Sequence, residues 1–136
     1  MAGKVILVGG LTKAVVLANP NVLFAFDDNL KKVGFAGQAI ECRGCVNTVG
    51  IPTKLSPTEY LFDSDVDRVK IPIINSFSRL RQHLRAGNDI AWPKDGVGRD
   101  NVSRLYITGP RILEAIEGVS QKVFAEASTI TKENVK

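Results

Sequence analysis

Residues 63–93, DSDVDRVKIPIINSFSRLRQHLRAGNDIAWP, combine a long amphipathic helix pattern with a short apolar run. In the helical part, apolar residues recur about every 3.6 residues and form one face, whose edge the stem of Arg81 can cover. The residues on this face are Ile73, Ile74, Phe77, Leu80, Arg81 and Leu84. Aspartates precede the helix and arginines crowd its end, so the helix macrodipole accounts for the basic cluster without a nucleic acid. Pro72 either kinks this helix or stands in its first turn, where a missing N–H costs least, and we favour the first turn. The apolar run NDIAWP predicts a buried strand directly after the helix.

The same alternation of strand and helix patterns continues on both sides of this stretch. Apolar runs bounded by turn residues predict three further strands, at Lys4–Gly10, Asn21–Phe26 and Asn47–Lys54. A second amphipathic helix is predicted from Pro110 to Ala127. Strands that alternate with helices indicate an α/β domain with a mainly parallel sheet, in which the direction of the short first strand stays open. We expect one domain over residues 1–127 and a polar C-terminal tail over residues 128–136.

Composition and charge exclude some classes of protein. The chain has 136 residues, of which 44% are apolar and 24% charged, as in ordinary globular proteins. No apolar run has the length of a membrane span, so we expect no membrane partner and a cytoplasmic location. The net charge of +4 is too small to indicate a dedicated nucleic-acid-binding protein, although it favours phosphates slightly.

The two cysteines form a single C-x-x-C motif, Cys42 and Cys45 in CRGC. A structural zinc site needs four ligands, and the chain adds only one histidine, His83, which lies among arginines. We therefore expect no metal and no other cofactor, and we expect two reduced, partly buried thiols, with a redox role as the less favoured alternative.

Polar and glycine-rich loops follow three of the predicted strands. In open α/β sheets, ligands bind beyond the carboxyl ends of the strands, so these loops are expected to converge at one edge of the sheet. Glycine loops offer backbone N–H groups to phosphates, basic residues supply opposing charge, and carboxylates accept from ribose hydroxyls. The candidate ligand-binding residues are Asp28, Asn29, Gly34, Gly37, Gln38, Thr53, Lys54, Asp95, Gly96, Gly98 and Arg99. The glycines are equally well explained as turn residues, so this alternative stays open.

Two of these loops resemble a known family. FDDNLKKVGFAGQAI (residues 26–40) resembles the first ligand loop of macro domains, in which an asparagine after a strand precedes a glycine-rich loop, and WPKDGVG (residues 92–98) is similar to their phosphate-contacting loop. The wider pattern of DNL, GFAGQA, GIPTK and PKDGVG resembles a group of small uncharacterised proteins of bacteria and tailed phages. The macro resemblance implies a three-layer fold and ADP-ribose or a related nucleotide as ligand, with matching positions at Asn29, Gly34, Gly37, Gly96 and Gly98.

The fold expected from residues and resemblance together is a single three-layer α/β domain, whose mainly parallel sheet is Rossmann-like or macro-like and is flanked by helices. The expected function is binding of a nucleotide-derived small molecule such as ADP-ribose. Hydrolysis is left open, because Asp27, Asp28 and Asp95 can meet at the loop edge but no catalytic residue is assigned. The alternative is a non-enzymatic interaction protein, phage-encoded and located in the host cytoplasm, that contacts a protein or nucleic acid.

Overall fold

The structure, a computed structural model, describes residues 1–35 and 37–132. Six strands form one sheet in the order β4-β3-β2-β5-β1-β6. The strands are β1 (Val5–Val8), β2 (Leu23–Asn29), β3 (Thr48–Ser56), β4 (Glu59–Tyr60), β5 (Ile90–Pro93) and β6 (Ile130–Lys132). All neighbouring pairs are parallel except β3 and β4. The predicted α/β class and mainly parallel sheet are confirmed, and the first strand is parallel to both of its neighbours.

Five helices connect or cover the strands of the described chain. They are α1 (Lys13–Ala18), α2 (Ala39–Cys42), α3 (Val66–Arg85), α4 (Leu105–Thr108) and α5 (Pro110–Phe124), and a 3₁₀ turn at Asp63–Asp65 precedes α3. No helix among the described residues is both long and apolar enough to cross a membrane.

The two faces of the sheet pack against different helices. One face packs against α3 and α5, and together they form the large core, which includes Ile51, Leu80, Trp92 and Ile116. The opposite face joins α1 and α2 in a small core, which includes Phe26, Val16 and Cys42. Successive side chains of a strand point to opposite faces, so β2 contributes Ala25 to the large core and Phe26 to the small one.

Two details of α3 differ from the sequence expectation. Pro72 lies inside the helix and not in its first turn, because the helix begins at Val66 after the 3₁₀ turn. The apolar face is also narrower than predicted, since Val69, Ile73, Phe77, Leu80 and Leu84 are buried while Ile74 is exposed.

Strands β2 and β3 run further than the apolar runs suggest. The polar residues Asp27, Asp28 and Asn29 were expected in a loop, and they form the end of β2 because hydrogen bonds from neighbouring segments satisfy them in place. The strand predicted at Asn47–Lys54 corresponds to β3, which begins at Thr48 and extends two residues further, to Ser56. The segment expected as a tail contributes β6, which pairs with β1, while residues 133–136 lie outside the described residues.

Candidate functional site

Three segments that are distant in sequence meet at the carboxyl ends of β2 and β3. They enclose a cleft lined by Asp27, Asp28, Asn29, Val33, Gly37, Gln38, Ala39, Thr53, Lys54, Pro57, Asp100, Val102 and Ser103. The predicted convergence of loops from three strands is therefore present at this edge. The cavity measures about 30 Å³, which holds a water molecule or a single hydroxyl group but not a whole nucleotide.

Asp27 is a buried carboxyl group of the cleft. Its Oδ1 accepts a hydrogen bond of 2.6 Å from the backbone N–H of Gly98, and its own N–H donates to Gln38 Oε1 at 2.9 Å. Burial, and after it the charge of Asp100, raises the pKa of Asp27 from 3.8 to about 7, although hydrogen bonds from Gly98 and Thr53 lower it in part. Near neutral pH this group can hold or release a proton, as a general acid or base must.

Asp100 stands beside Asp27 and is held by its own loop. Its Oδ1 accepts from the backbone N–H of Ser103 at 2.9 Å and also from the Ser103 hydroxyl. Such a bond from a side chain to the backbone three residues later fixes a turn without help from a sheet or helix. The cleft thus presents two neighbouring carboxyl groups whose positions are set before any ligand arrives.

Asp28 forms hydrogen bonds with other residues of the protein. Arg43 donates to its two carboxylate oxygens at 2.5 and 3.3 Å, and the backbone N–H of Asn29 donates to Oδ1 at 2.8 Å. Its side chain fills the space over Gly50, where a Cβ would clash with it. We therefore expect Asp28 to hold α2 and the sheet together as well as to border the cleft.

Asn29 and Lys54 also make internal contacts. The Asn29 amide donates to the Val33 carbonyl at 2.6 Å, which closes the turn after β2. Lys54 Nζ donates to the Pro57 carbonyl at 2.8 Å and lies 5.3 Å from the centre of the Tyr60 ring. Both residues border the cleft, as the sequence predicted, but their polar atoms already have partners in the protein.

All four glycines of the predicted set have left-handed backbones, and Gly37 and Gly98 differ in what surrounds them. Gly37 has φ of 60°, and a Cβ there would meet only ordinary contacts with Val102 and Asp100. Gly98 has φ of 83°, and a Cβ there would lie 3.0 Å from Leu105 and 3.1 Å from Leu113. Glycine is thus required at position 98, where Leu105 and Leu113 leave no room for a side chain next to the N–H that donates to Asp27. Gly37, in contrast, lines the cleft.

Five predicted residues do not line the cleft, and one of them, Gly98, contacts it only through the N–H that donates to Asp27. Asp95 and Gly96 lie in the turn after β5, and Arg99 points away to pair with Glu117 at 2.8 Å. The Gly34 carbonyl accepts from Arg43 at 2.6 Å, so this glycine belongs to the loop that Arg43 ties down. Conversely, the sequence reasoning missed Asp100, Val102 and Ser103, although the spacing in DNVS is typical of a side-chain-capped turn.

The cysteines stand apart from the cleft. Cys42 and Cys45 are free and buried in the small core, where burial first and then Cys45 raise the pKa of the Cys42 thiol to about 12. Such a thiol is protonated at neutral pH and is a poor nucleophile. Residues 1–35 and 37–132 contain no group of three or more His, Cys, Asp or Glu side chains that could hold a metal ion.

Similarity to other proteins adds one finding. The sequence profile of DUF7831, a family of unknown function, matches residues 6–119, a span that includes every residue lining the cleft. No curated protein and no solved structure matches the chain.

Proposed function

The chain belongs to the DUF7831 family of unknown function, and we propose that its cleft binds the ribose of a nucleotide-derived small molecule such as ADP-ribose. The observation that carries this proposal is the pair of carboxyl groups, Asp27 and Asp100, at the meeting point of the β2 end and the loop after β5. Carboxylates accept hydrogen bonds, so the complementary ligand presents hydroxyl donors, as a ribose does. One hydroxyl fits the cavity, and the rest of the ligand lies outside the cleft.

Hydrolysis of a bond to that ribose is the reaction that the cleft suits. A carboxyl group with a pKa of about 7 has the proton affinity that general acid–base catalysis uses at neutral pH. Asp27 is the residue that we propose for the proton transfer.

The test compares ligand-induced stabilisation in matched aspartate variants. ADP-ribose at a hundredfold its dissociation constant should stabilise the wild type by about 2.7 kcal/mol, seen as a rise in Tm. Asp27→Asn and Asp100→Asn should lose this stabilisation, because each replaces one acceptor oxygen of the carboxylate by an NH₂ group, which can donate but not accept. Asp95→Asn removes the same charge from the same loop outside the cleft, and it should respond like the wild type.

Two outcomes would contradict the proposal. One is that neither ADP-ribose nor adenosine, AMP or free ribose stabilises the wild type, which would leave the interaction-protein alternative. The other is that Asp95→Asn weakens binding as much as Asp100→Asn, since a general charge effect and not the cleft would then explain the loss.

A further inference from the structure

A larger groove adjoins the cleft and shares Asp28 and Asn29 with it. Its volume is about 640 Å³, within the range of roughly 300 to 1,000 Å³ that small-molecule sites occupy. The groove lies along the free edge of β3, where Thr48, Val49, Gly50 and Pro52 line it. It extends from the turn after β2 to the flank of α3.

The charges around this groove are mainly positive. Three cations line it, Lys32, Arg43 and Arg79, with one carboxylate, Asp28, which Arg43 already neutralises. The Arg79 guanidinium donates to the carbonyls of Thr48 and Val46 at 2.7 and 2.9 Å. These acceptors are neutral, so they fix the guanidinium in place without cancelling its charge.

Lys32 supplies a second uncompensated charge. It is exposed, and no carboxylate of the described residues lies within ion-pair distance of it. Its backbone is left-handed, with φ of 56°, a conformation that non-glycine residues rarely adopt. Lys32 therefore adds a positive charge to the lining of the groove from the turn after β2.

The open edge of β3 adds neutral donors. The Asn47 carbonyl accepts from the N–H of Phe24, which is the β2 residue paired with Thr48. In a parallel pair, the residues that flank the paired one bond to the neighbouring strand, so the N–H and C=O groups of Thr48 and of every second residue after it point away from β2. The N–H groups of Thr48 and Gly50 therefore face the groove side, where β4 does not reach, since it pairs only with Lys54 and Ser56. Cations with backbone N–H donors are the groups that proteins use to bind phosphate oxygens.

The size and lining of the groove favour a small ligand over a nucleic-acid strand. Single-stranded nucleic acids bind on exposed aromatic side chains along a charged channel. The aromatic residue in this lining is Phe26, which is buried in the small core and offers no stacking face.

We infer that the groove binds the phosphate groups of a small-molecule ligand. Resting on the proposed function, these are the phosphates of the nucleotide whose ribose enters the cleft, because Asp28 and Asn29 border both spaces. Arg79 and Lys32 bind the phosphate oxygens, and Arg43 stays with Asp28.

The test measures the affinity for inorganic pyrophosphate and for ADP-ribose by calorimetry. Arg79→Gln and Lys32→Asn should each weaken pyrophosphate binding by about tenfold, the loss expected for one charge-assisted contact. Asparagine is chosen at position 32 because it tolerates the left-handed backbone there. Arg79→Lys keeps the positive charge and should therefore retain most of the affinity that Arg79→Gln loses. Lys31→Asn makes the same substitution at an exposed lysine outside the groove and should change affinity less than about twofold.

The outcomes separate this inference from the proposed function. If Asp100→Asn abolishes ADP-ribose binding while Arg79→Gln and Lys32→Asn leave it unchanged, the groove inference is wrong and the cleft stands. If pyrophosphate binding depends on the two cations but ADP-ribose binding ignores Asp100→Asn, the groove stands and the proposed function fails. Absence of pyrophosphate binding, equal loss in Lys31→Asn, or much tighter binding of a short single-stranded oligonucleotide would overturn the inference.

Discussion

Asp27 makes the stability of the protein depend on pH in an unusual direction. Its pKa rises from an ordinary value of 3.8 to about 7 in the folded state, so between these values the native state binds more protons than the unfolded state. The free energy of unfolding contributed by this group therefore falls as pH rises from about 4 to 7, and the loss is complete above that window. Most acidic groups, with lowered pKa values, act in the opposite sense.

Asp27→Asn should therefore raise the free energy of unfolding by roughly 2 kcal/mol at pH 8 and change this free energy little at pH 4.5. The full shift corresponds to a cost on the order of 4 kcal/mol for burying the charge, and the buried amide retains part of that cost. The asparagine oxygen can still accept from Gly98. Urea unfolding at both pH values measures the difference, and an equal effect at the two would show that Asp27 is not the titrating group.

For single residues, the sequence predicted where a residue lies better than it predicted which contacts the residue makes. Asp28 and Asn29 were predicted from their place after a buried strand, and they do border the cleft. Their partners, Arg43 and Val33, could not be predicted, because the contacts depend on how loops fold back in space. Asp100 was missed since a capped turn without an apolar neighbour resembles any polar loop.

Helix α3 protects the free edge of β3 with its side chains. The Ser76 hydroxyl lies 2.8 Å from the Gly50 carbonyl, and Arg79 donates to the carbonyls of Val46 and Thr48. Unpaired edges of sheets invite association with other chains, and covering them with polar side chains is one remedy. Pro52, which has no N–H, reduces the exposed donors of the same edge.

Ser76→Ala should lower the free energy of unfolding by about 1 kcal/mol relative to Ser78→Ala. Both substitutions gain the same helix propensity in α3, and Ser78 is exposed, so their difference measures the contacts of the Ser76 hydroxyl with the carbonyls of Gly50 and, within the helix, Pro72. Chemical unfolding of the two variants measures it. Equal stability of the variants would mean that water replaces the serine hydroxyl at Gly50 without cost.

The elements were predictable where apolar periodicity extended over a whole segment. α3 satisfied this condition, and its position and burial followed the pattern apart from Ile74 and the placement of Pro72. The end of β2 did not, because Asp27 is a polar residue buried by tertiary contacts. Local pattern cannot reveal burial that another segment provides.

At the scale of the whole molecule, the two faces of the sheet are covered unequally. The large core packs against α3 and α5, which have 20 and 15 residues. The small core packs against α1 and α2, which have six and four residues, and helices this short have little stability of their own. We therefore expect the small-core face to open locally before the molecule unfolds.

The two faces carry separate natural probes of this opening. The single tryptophan of the chain, Trp92, packs in the large core between Phe77 and Phe124, with ring centres 5.7 and 5.4 Å away. Cys42 is buried in the small core on α2, and its thiol is protonated until that face opens. A Cys45→Ala variant lets Cys42 be followed alone.

Thiol labelling of Cys42 in native buffer should give an opening free energy at least about 1 kcal/mol below the unfolding free energy from Trp92 fluorescence in urea. The reason is that opening the α2 face breaks few contacts, while exposing Trp92 requires α3 and α5 to leave the sheet. Val16→Ala, which loosens the small core alone, should speed labelling more than it shifts the Trp92 transition. Equal free energies from the two probes would show instead that both faces of the sheet unfold in one cooperative step.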